Sequence, residues 1–384
     1  MAHQLGTPAG PRVVIVDVHA SDSFREFAAA LRRSGVDVVH LRPAYSGRGR
    51  GLKRAIDELA GPVVELAAPL DSDDPRAVDQ RRRLLAPPTV DVHATEPVLA
   101  ALSTTPEWAA NPHLAKVRPG LRLAEAMDKW DVGHLARSAG VRVPDATLDL
   151  HAASFPVVVK GRLGAGGMFV RIVEDEASLE AAVASFRAEG VEPFLETYHA
   201  HGNGLGTAGV SRDGRLITCG SFERLTSPDH PLQPAVAIRA FHHEEAEQAT
   251  ARLAESLGYT GIICLNFVPD DDGRPLLIDV NLRVFGAWVT LDELGVPILA
   301  AYLELLGAGP AAPRCAVDPS RWRDVARIGE GADRSRRRAA EVTLATSRLV
   351  VSRRRTLGWG WVAGTELRVL EQGARGAIRP RSRD

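Results

Sequence analysis

Lysine is scarce in this sequence. Of 47 basic residues four are lysine, Lys53, Lys116, Lys129 and Lys160. A chain this biased toward arginine keeps lysine where a planar guanidinium substitutes poorly, such as a narrow phosphate pocket that wants a compact ammonium. Cysteine is scarce too. Cys219, Cys264 and Cys315 are widely spaced and odd in number, which excludes a disulfide framework and a C-x-x-C metal site, and they read as reduced, mostly buried thiols. No apolar run approaches the roughly 20 residues that span a bilayer, and residues 1–11 lack the apolar core of a signal peptide, so a cytoplasmic location is expected. A net charge of −1 removes any global attraction to DNA or to a membrane. Three nucleotide fingerprints are missing as well. No Gly-x-Gly-x-x-Gly follows the first strand, no Gly-Lys-Ser/Thr opens a helix, and neither H-R-D nor D-F-G occurs.

With 384 residues and 45% hydrophobic content, the chain can bury two or three domains. Arg12–Asp17 reads as a buried strand, Ser21-Asp22-Ser23 as caps of a helix over Phe24–Arg33, and Val36–Leu41 as a second strand. Leu52–Ala60 with Val63–Ala67 forms a third unit, after a Gly47–Gly51 loop, and Thr89–His93 a further strand. Alternation at this spacing predicts a parallel α/β domain from about Pro11 to Pro119. Leu121–Gly140 is an amphipathic helical stretch in which Asp128-Lys129 precedes the final helix.

Phe155–Val173 carries a lysine on a strand, Lys160, then Gly161–Gly167, then a second strand. Protein kinases cover phosphates with such a glycine-rich flap and hold them with a strand lysine. A helix over Ala177–Glu189 leads to a strand at Glu192–Tyr198, whose edge suits a purine. His199-x-His201 reads as a polar loop rather than a metal site. Thr207–Ser211 and Arg215–Cys219 form a hairpin through Asp213-Gly214, and a helix covers Glu244–Leu257. Last comes the hairpin of Ile262–Val268 and Pro275–Val280. Its Asp270–Gly273 turn lacks the ligand spacing of a calcium loop and is read as solvated. Asp279 and Asn281 share a face by the period of two, and with Asn266 they offer hard oxygens of the kind that hold Mg²⁺ jointly with phosphates. Arg283 keeps the same parity and adds a fork for oxyanions.

These pieces, in this order from about Met127 to Leu306, resemble the ATP-grasp superfamily. The carrying motifs are Asp128-Lys129, the Val157–Gly167 flap, Glu196-Thr197-Tyr198, and Gly261–Arg283 ending in D-x-N-x-R. Gly202–Gly206, Ser221–Leu225 and the run after Asn281 look most like the carboligase group related to carbamoyl-phosphate synthase and biotin carboxylase. The resemblance implies an α/β architecture. A Rossmann-like domain over residues 1–120 would precede a two-lobe ATP-grasp fold over 121–308, with a small flap lobe about 145–197 and a metal-binding lobe about 198–308. It implies that Lys129 and Lys160 contact the phosphates of ATP, that Gly164, Gly166 and Gly167 cover them, and that the backbone of Glu196, Thr197 and Tyr198 holds adenine. Asn266, Asp279 and Asn281 would hold Mg²⁺ or Mn²⁺, and Arg283 would stand near the transferred phosphoryl group. Arg239 is the candidate for the carboxylate or acyl phosphate, with Arg224 second to it.

The implied activity is ATP-dependent joining of a carboxylate to an amine, with small molecules as substrates and a homodimer allowed. A carboxylase or carbamoyl type of chemistry, or a weakened ATP-binding module, is the alternative. Asp279 stands where the family usually has Glu, Asn266 where it often has Glu, and Leu282 where Pro is common, so the expected metal site has one carboxylate. Residues 309–384 are expected to be an Arg-rich extension. Residues 310–384 hold 17 arginines against 8 acidic residues. This segment is read as solvated or packed on the lobes, with contact to anionic lipid or RNA as the lesser alternative.

Overall fold

The computed structural model describes residues 10–18, 21–44, 54, 58, 61–70, 72–199, 204–225 and 237–324. Four parallel strands, β1 (Arg12–Val16), β2 (Asp37–Arg42), β3 (Val63–Glu65) and β4 (Thr89–His93), lie in the order β3-β2-β1-β4. Val13 and Ile15 enter one core with Phe24 and Phe27, while Val14 and Val16 enter another, so the continuous apolar run of β1 reflects burial on both faces. The Gly47–Gly51 loop and most of Leu52–Ala60 lie outside the described residues.

A second sheet is antiparallel: β5 (Ala146–Thr147), β6 (Val157–Gly161), β7 (Val170–Val173) and β8 (Pro193–Thr197), in the order β5-β8-β6-β7. Val157, Val159, Val173 and Leu195 pack on Leu179 and Phe186 of the helix Glu176–Ala188, and this small core is separate from the other two. The third sheet has six antiparallel strands: β9 (Gly204–Arg212), β10 (Arg215–Leu225), β11 (Ala237–Phe241), β12 (Gly261–Pro269), β13 (Pro275–Asn281) and β14 (Trp322–Asp324). Their order is β13-β12-β9-β10-β11-β14. Its two faces fall into the same two cores as the parallel sheet, with Cys264 and Val210 on one side and Ile263 and Leu265 on the other.

Two details refine the sequence expectation. The stretch Leu121–Gly140 is two helices, Leu123–Met127 and Lys129–Ser138, because Asp128 takes an extended ψ of 123° and its carboxylate accepts the Trp130 and Asp131 N–H groups. The region after Gly307 also continues the fold. Ala316 N–H donates to the Gly295 carbonyl, and Trp322 in β14 pairs with Arg239 in β11. Residues 325–384, with both arginine clusters, lie outside the described residues. Among the described residues no helix is long and apolar enough to cross a membrane.

A buried polar cluster joins the parallel sheet to the rest. Asp91 pairs with Lys116 and accepts from Tyr302 Oη at 2.6 Å, and His93 Nε2 lies 3.0 Å from that same oxygen. His93 Nδ1 accepts the Val284 N–H at 3.3 Å, so the proton sits on Nε2. Burial alone would raise the Asp91 carboxyl, but Lys116 and His93 outweigh it and hold it below the carboxylate range. A carboxyl depressed on folding contributes stability above its unfolded pKa near 3.9 and loses it as pH falls. Lys116→Met strands the buried Asp91 charge and is expected to cost about 3–5 kcal/mol, measured by urea unfolding at pH 7. The cost should shrink in the double variant with Asp91→Asn, whereas equal costs in both would show that the ion pair is not the cause.

Candidate active site

Three elements meet at β13. Lys129 opens its helix and pairs through Nζ with Asp279 Oδ1. Lys160 reaches from β6 of the small sheet, with Nζ 2.5 Å from Glu196 Oε1 and 2.9 Å from the Ile278 carbonyl. Asn281 Nδ2 donates to Asp279 Oδ2 at 2.9 Å, and Asn266 Nδ2 stands 3.4 Å from the same oxygen. Burial would raise the Asp279 carboxyl, but the charge and hydrogen bond of Lys129, followed by the charge of Lys160, draw it down to about 2. On Lys129 burial opposes the charge and Asp279 favours it, and the balance raises its pKa. The lysines and the D-x-N pair thus belong to one cluster, and the cleft beside it is lined by Lys129, Trp130, Pro144, Glu196, Ile278 and Asp279.

The aspartate before Lys129 does two jobs. Besides capping the helix, Asp128 accepts from Arg162 Nε at 2.7 Å, and Arg162 Nη2 reaches Asp131 at 3.0 Å. Arg162 is the residue that enters the glycine loop, and its carbonyl accepts the Lys129 N–H at 2.8 Å. Lys129 is therefore fixed to the flap as well as to β13. Gly164, Gly166 and Gly167 lie in the loop between β6 and β7, where the φ values of 64° and 75° at the last two suit glycine. Of the residues expected to hold adenine, Glu196 turns toward Lys160, Thr197 donates its N–H to the Asp145 carbonyl at 2.8 Å, and Tyr198 follows the end of β8; β8 lies between β5 and β6, so Glu196 and Thr197 do not offer the open edge expected for a purine. His201 and Gly202 lie outside the described residues. Among those described no three His, Cys, Asp or Glu side chains gather to hold a metal.

The arginines divide by strand register. Asp279 pairs with Asn266, Asn266 with Gly206, and Gly206 with Phe222, which puts these residues on one face of the sheet. Arg224, two residues past Phe222, shares that face, where burial lowers its pKa against the opposing charges of Cys264 and then Asp279. Arg239 pairs with Glu223 one position off, so it points to the opposite face, where its Nε donates to Glu223 Oε2 at 2.6 Å. The structure does not bring Arg239 to the Asp279 cluster. Arg283 is beside it, with Nη2 3.3 Å from Asn281 Oδ1.

Arg283 Nε also lies 2.7 Å from Oε1 of Glu96, a residue the sequence reading missed. This ion pair lacks hydrogen-bond geometry, so both Glu96 oxygens are buried without a hydrogen bond among the described residues. Glu96 begins the helix Glu96–Ser103, just past the carboxyl end of β4, where ligands of parallel sheets gather. That position was the one signal available for it.

No protein-family model matches the chain, and no curated protein matches it. Solved structures do. An L-amino acid ligase from Bacillus licheniformis superposes with a TM-score of 0.57 at 19% identity, covering 82% of this chain and 79% of that one. The biotin carboxylase domain of the Hydrogenobacter thermophilus 2-oxoglutarate carboxylase, solved with MgADP and bicarbonate, gives 0.59 at 16% identity over 78% and 70%. Carboxyaminoimidazole ribonucleotide synthase from Aspergillus clavatus, complexed with ATP, gives 0.64 at 13% identity over 87% and 86%. The fold is ATP-grasp. An ATP-grasp reading of the sheets makes the four-stranded antiparallel sheet the flap-bearing lobe and the six-stranded sheet the floor that carries Asp279.

The donor set fits Mg²⁺ only with help. One carboxylate and two carboxamides are hard oxygen ligands but too few alone, and phosphate oxygens and water would have to complete the shell. Asp279→Asn removes the charge that faces both lysines. It is expected to destabilise the protein by about 1.5–3 kcal/mol and to abolish the rise in thermal midpoint on adding MgADP. Because the Asp279 pKa falls from near 3.9 to about 2 on folding, the wild-type advantage should hold above about pH 4 and fade toward pH 2. A midpoint for Asp279→Asn that still rises with MgADP would remove Asp279 from the metal site.

Proposed function

We propose that this protein is an ATP-dependent ligase that phosphorylates a small-molecule carboxylate and passes the acyl group to an amine. The observation that carries the reading is the meeting of Lys129 and Lys160, from different elements, at adjacent residues of β13, Lys129 paired with Asp279 and Lys160 held by the Ile278 carbonyl and Glu196. Two ammonium groups aimed into one cleft suit the crowded oxygens of a triphosphate. In this reading the phosphates take the lysines, Gly164, Gly166 and Gly167 cover them, and the backbone about Tyr198, past the pairing of Glu196 and Thr197 with β5 and β6, holds adenine. Mg²⁺ would be held by Asp279 and the carboxamide oxygens of Asn266 and Asn281, and it supplies charge neutralisation on the phosphates.

The chemistry has two steps. A carboxylate oxygen of the acid bonds to the γ-phosphorus, the bond to the β–γ bridging oxygen breaks, and its electron pair leaves on ADP. The amine nitrogen then bonds to the acyl carbon, phosphate departs with the carbon–oxygen electron pair, and the amine releases a proton. Arg283 would neutralise the transferred group. Glu96, with two buried unbonded oxygens beside it, would meet the incoming ammonium or amine. The domain division expected from sequence, 1–120 and 121–308, is retained in this proposal with the second part extended to Asp324 by β14, as are a cytoplasmic location and a homodimer.

The likeness to an L-amino acid ligase favours amino acids as acid and amine. A second reading has bicarbonate as the acid, supported by the bicarbonate in the similar biotin carboxylase structure. ADP release with Mg²⁺, first across paired amino acids and then with bicarbonate, separates the two. Acid-dependent turnover that needs an amine favours the ligase, and turnover on bicarbonate alone favours the second reading. Lys160→Ala is expected to lower kcat on the order of 10²–10³-fold. Nucleotide binding without turnover on any acid would overturn both readings.

A further inference from the structure

Sequence order favoured Arg239 for the acyl phosphate, yet strand register gives Arg224 the site-facing position. Arg224 stands on the face of Asn266 and Asp279, while Arg239 is held by Glu223 on the other face. The strand beside it has been cleared for its side chain. A Cβ added to Gly204, the cross-strand partner of Arg224, would lie 2.5 Å from Nη2 and 2.8 Å from Nε, so the guanidinium rests flat on bare backbone. A Cβ on Gly206 would lie 2.3 Å from the ring of Phe222, so this ring lies over β9 in the same way, next to the row that carries Asn266.

Nε of the guanidinium also lacks an acceptor among the described residues. It is buried there, whereas Arg283 already stands against Glu96. A buried guanidinium donor left unpaired is costly, which is the situation of a group whose partner is a ligand. Asp279 draws on the Arg224 charge but gives it no hydrogen bond.

We infer that Arg224 is an oxyanion contact of the reaction, a fixed fork that takes two oxygens of the phosphoryl group once it has left ATP for the carboxylate, and that Gly204 and Gly206 are glycine so that this fork and Phe222 can lie over β9 on the face that carries Asp279. Arg224 is a catalytic residue in this account, and Gly204 is a positioning residue that acts through it. The inference rests on the ligase reading above and deepens it by assigning a subsite for the acyl phosphate.

Inorganic phosphate is the probe, since it stands in for the transferred phosphoryl group. Its binding is measured by calorimetry at saturating MgADP, after the MgADP constant has been measured alone. Wild type is expected to bind both. Arg224→Gln should weaken phosphate at least tenfold while leaving MgADP within about twofold, Arg224→Lys should fall between, and Gly204→Ala should repeat the phosphate loss without changing the circular dichroism spectrum. Phosphate affinity unchanged in Arg224→Gln, or lost in equal measure with MgADP affinity, overturns the inference, as does a wild type that binds MgADP but not phosphate. A wild type that does not bind MgADP overturns the ligase reading, and the inference with it.

Discussion

The cleft depends on one charge balance. Lys129 and Lys160 approach from a helix and from the small sheet, and two ammonium groups brought together repel by roughly 4 kcal/mol at 4 Å in the dielectric of a protein surface. Asp279 at Lys129 and Glu196 at Lys160 are the anions that let them coexist, and the depressed pKa of Asp279 records the attraction. A triphosphate offers the same counter-charge several times over. Exchange of Asp279 for phosphate at the lysines would free the carboxylate for the ion that accompanies the nucleotide, so one interaction can serve the empty and the filled cleft alternately.

The rest of the architecture holds those lysines where the balance works. The parallel sheet and the six-stranded sheet share two cores, whereas the small sheet has its own. The small sheet is tied to its neighbours by polar contacts that all bear on the cleft. Arg162 reaches Asp128 and Asp131, Lys160 reaches the Ile278 carbonyl, and the Leu277 N–H donates to the Arg142 carbonyl just before β5. Trp130 adds an edge-on contact to Phe194, with centroids 5.6 Å apart. A lobe joined mainly through charges near the ligand site has a docking energy that the ligand itself can alter, which is a different situation from a lobe sharing a continuous apolar core.

Much of this was legible in the sequence where the signal is local. β4, the helices over Glu176–Ala188 and Glu244–Leu257, and the two Asp-Gly hairpins follow from period, caps and turns, and Asp279 with Asn281 follows from alternation along one strand. Readings failed where the decision was non-local. Ranking Arg239 above Arg224 required the register of β10 against β11, and a shift of one residue there exchanges the faces. β14 is three residues long and exists only because β11 has an open edge. Glu96 meets Arg283 across about half of the chain, and nothing near either residue announces the other.

Glu96 also bears on why this site can be built with fewer carboxylates on its strands than the resembling family usually has. β12 and β13 bring one, Asp279, and two carboxamides, yet the cleft holds Arg283 and two lysines in addition to any metal. Besides Glu196 at Lys160, Glu96 supplies a further negative charge from the end of β4, close enough to favour the charge on Lys129. The polar cluster behind it fixes the same region from the other side, since Asp91 and His93 of β4 hold Tyr302 and the Val284 amide next to Arg283. The parallel sheet is therefore more than a support for the nucleotide lobes. The helix that follows β4 contributes a charge to the site, and β4 itself anchors the backbone next to the residue that charge faces.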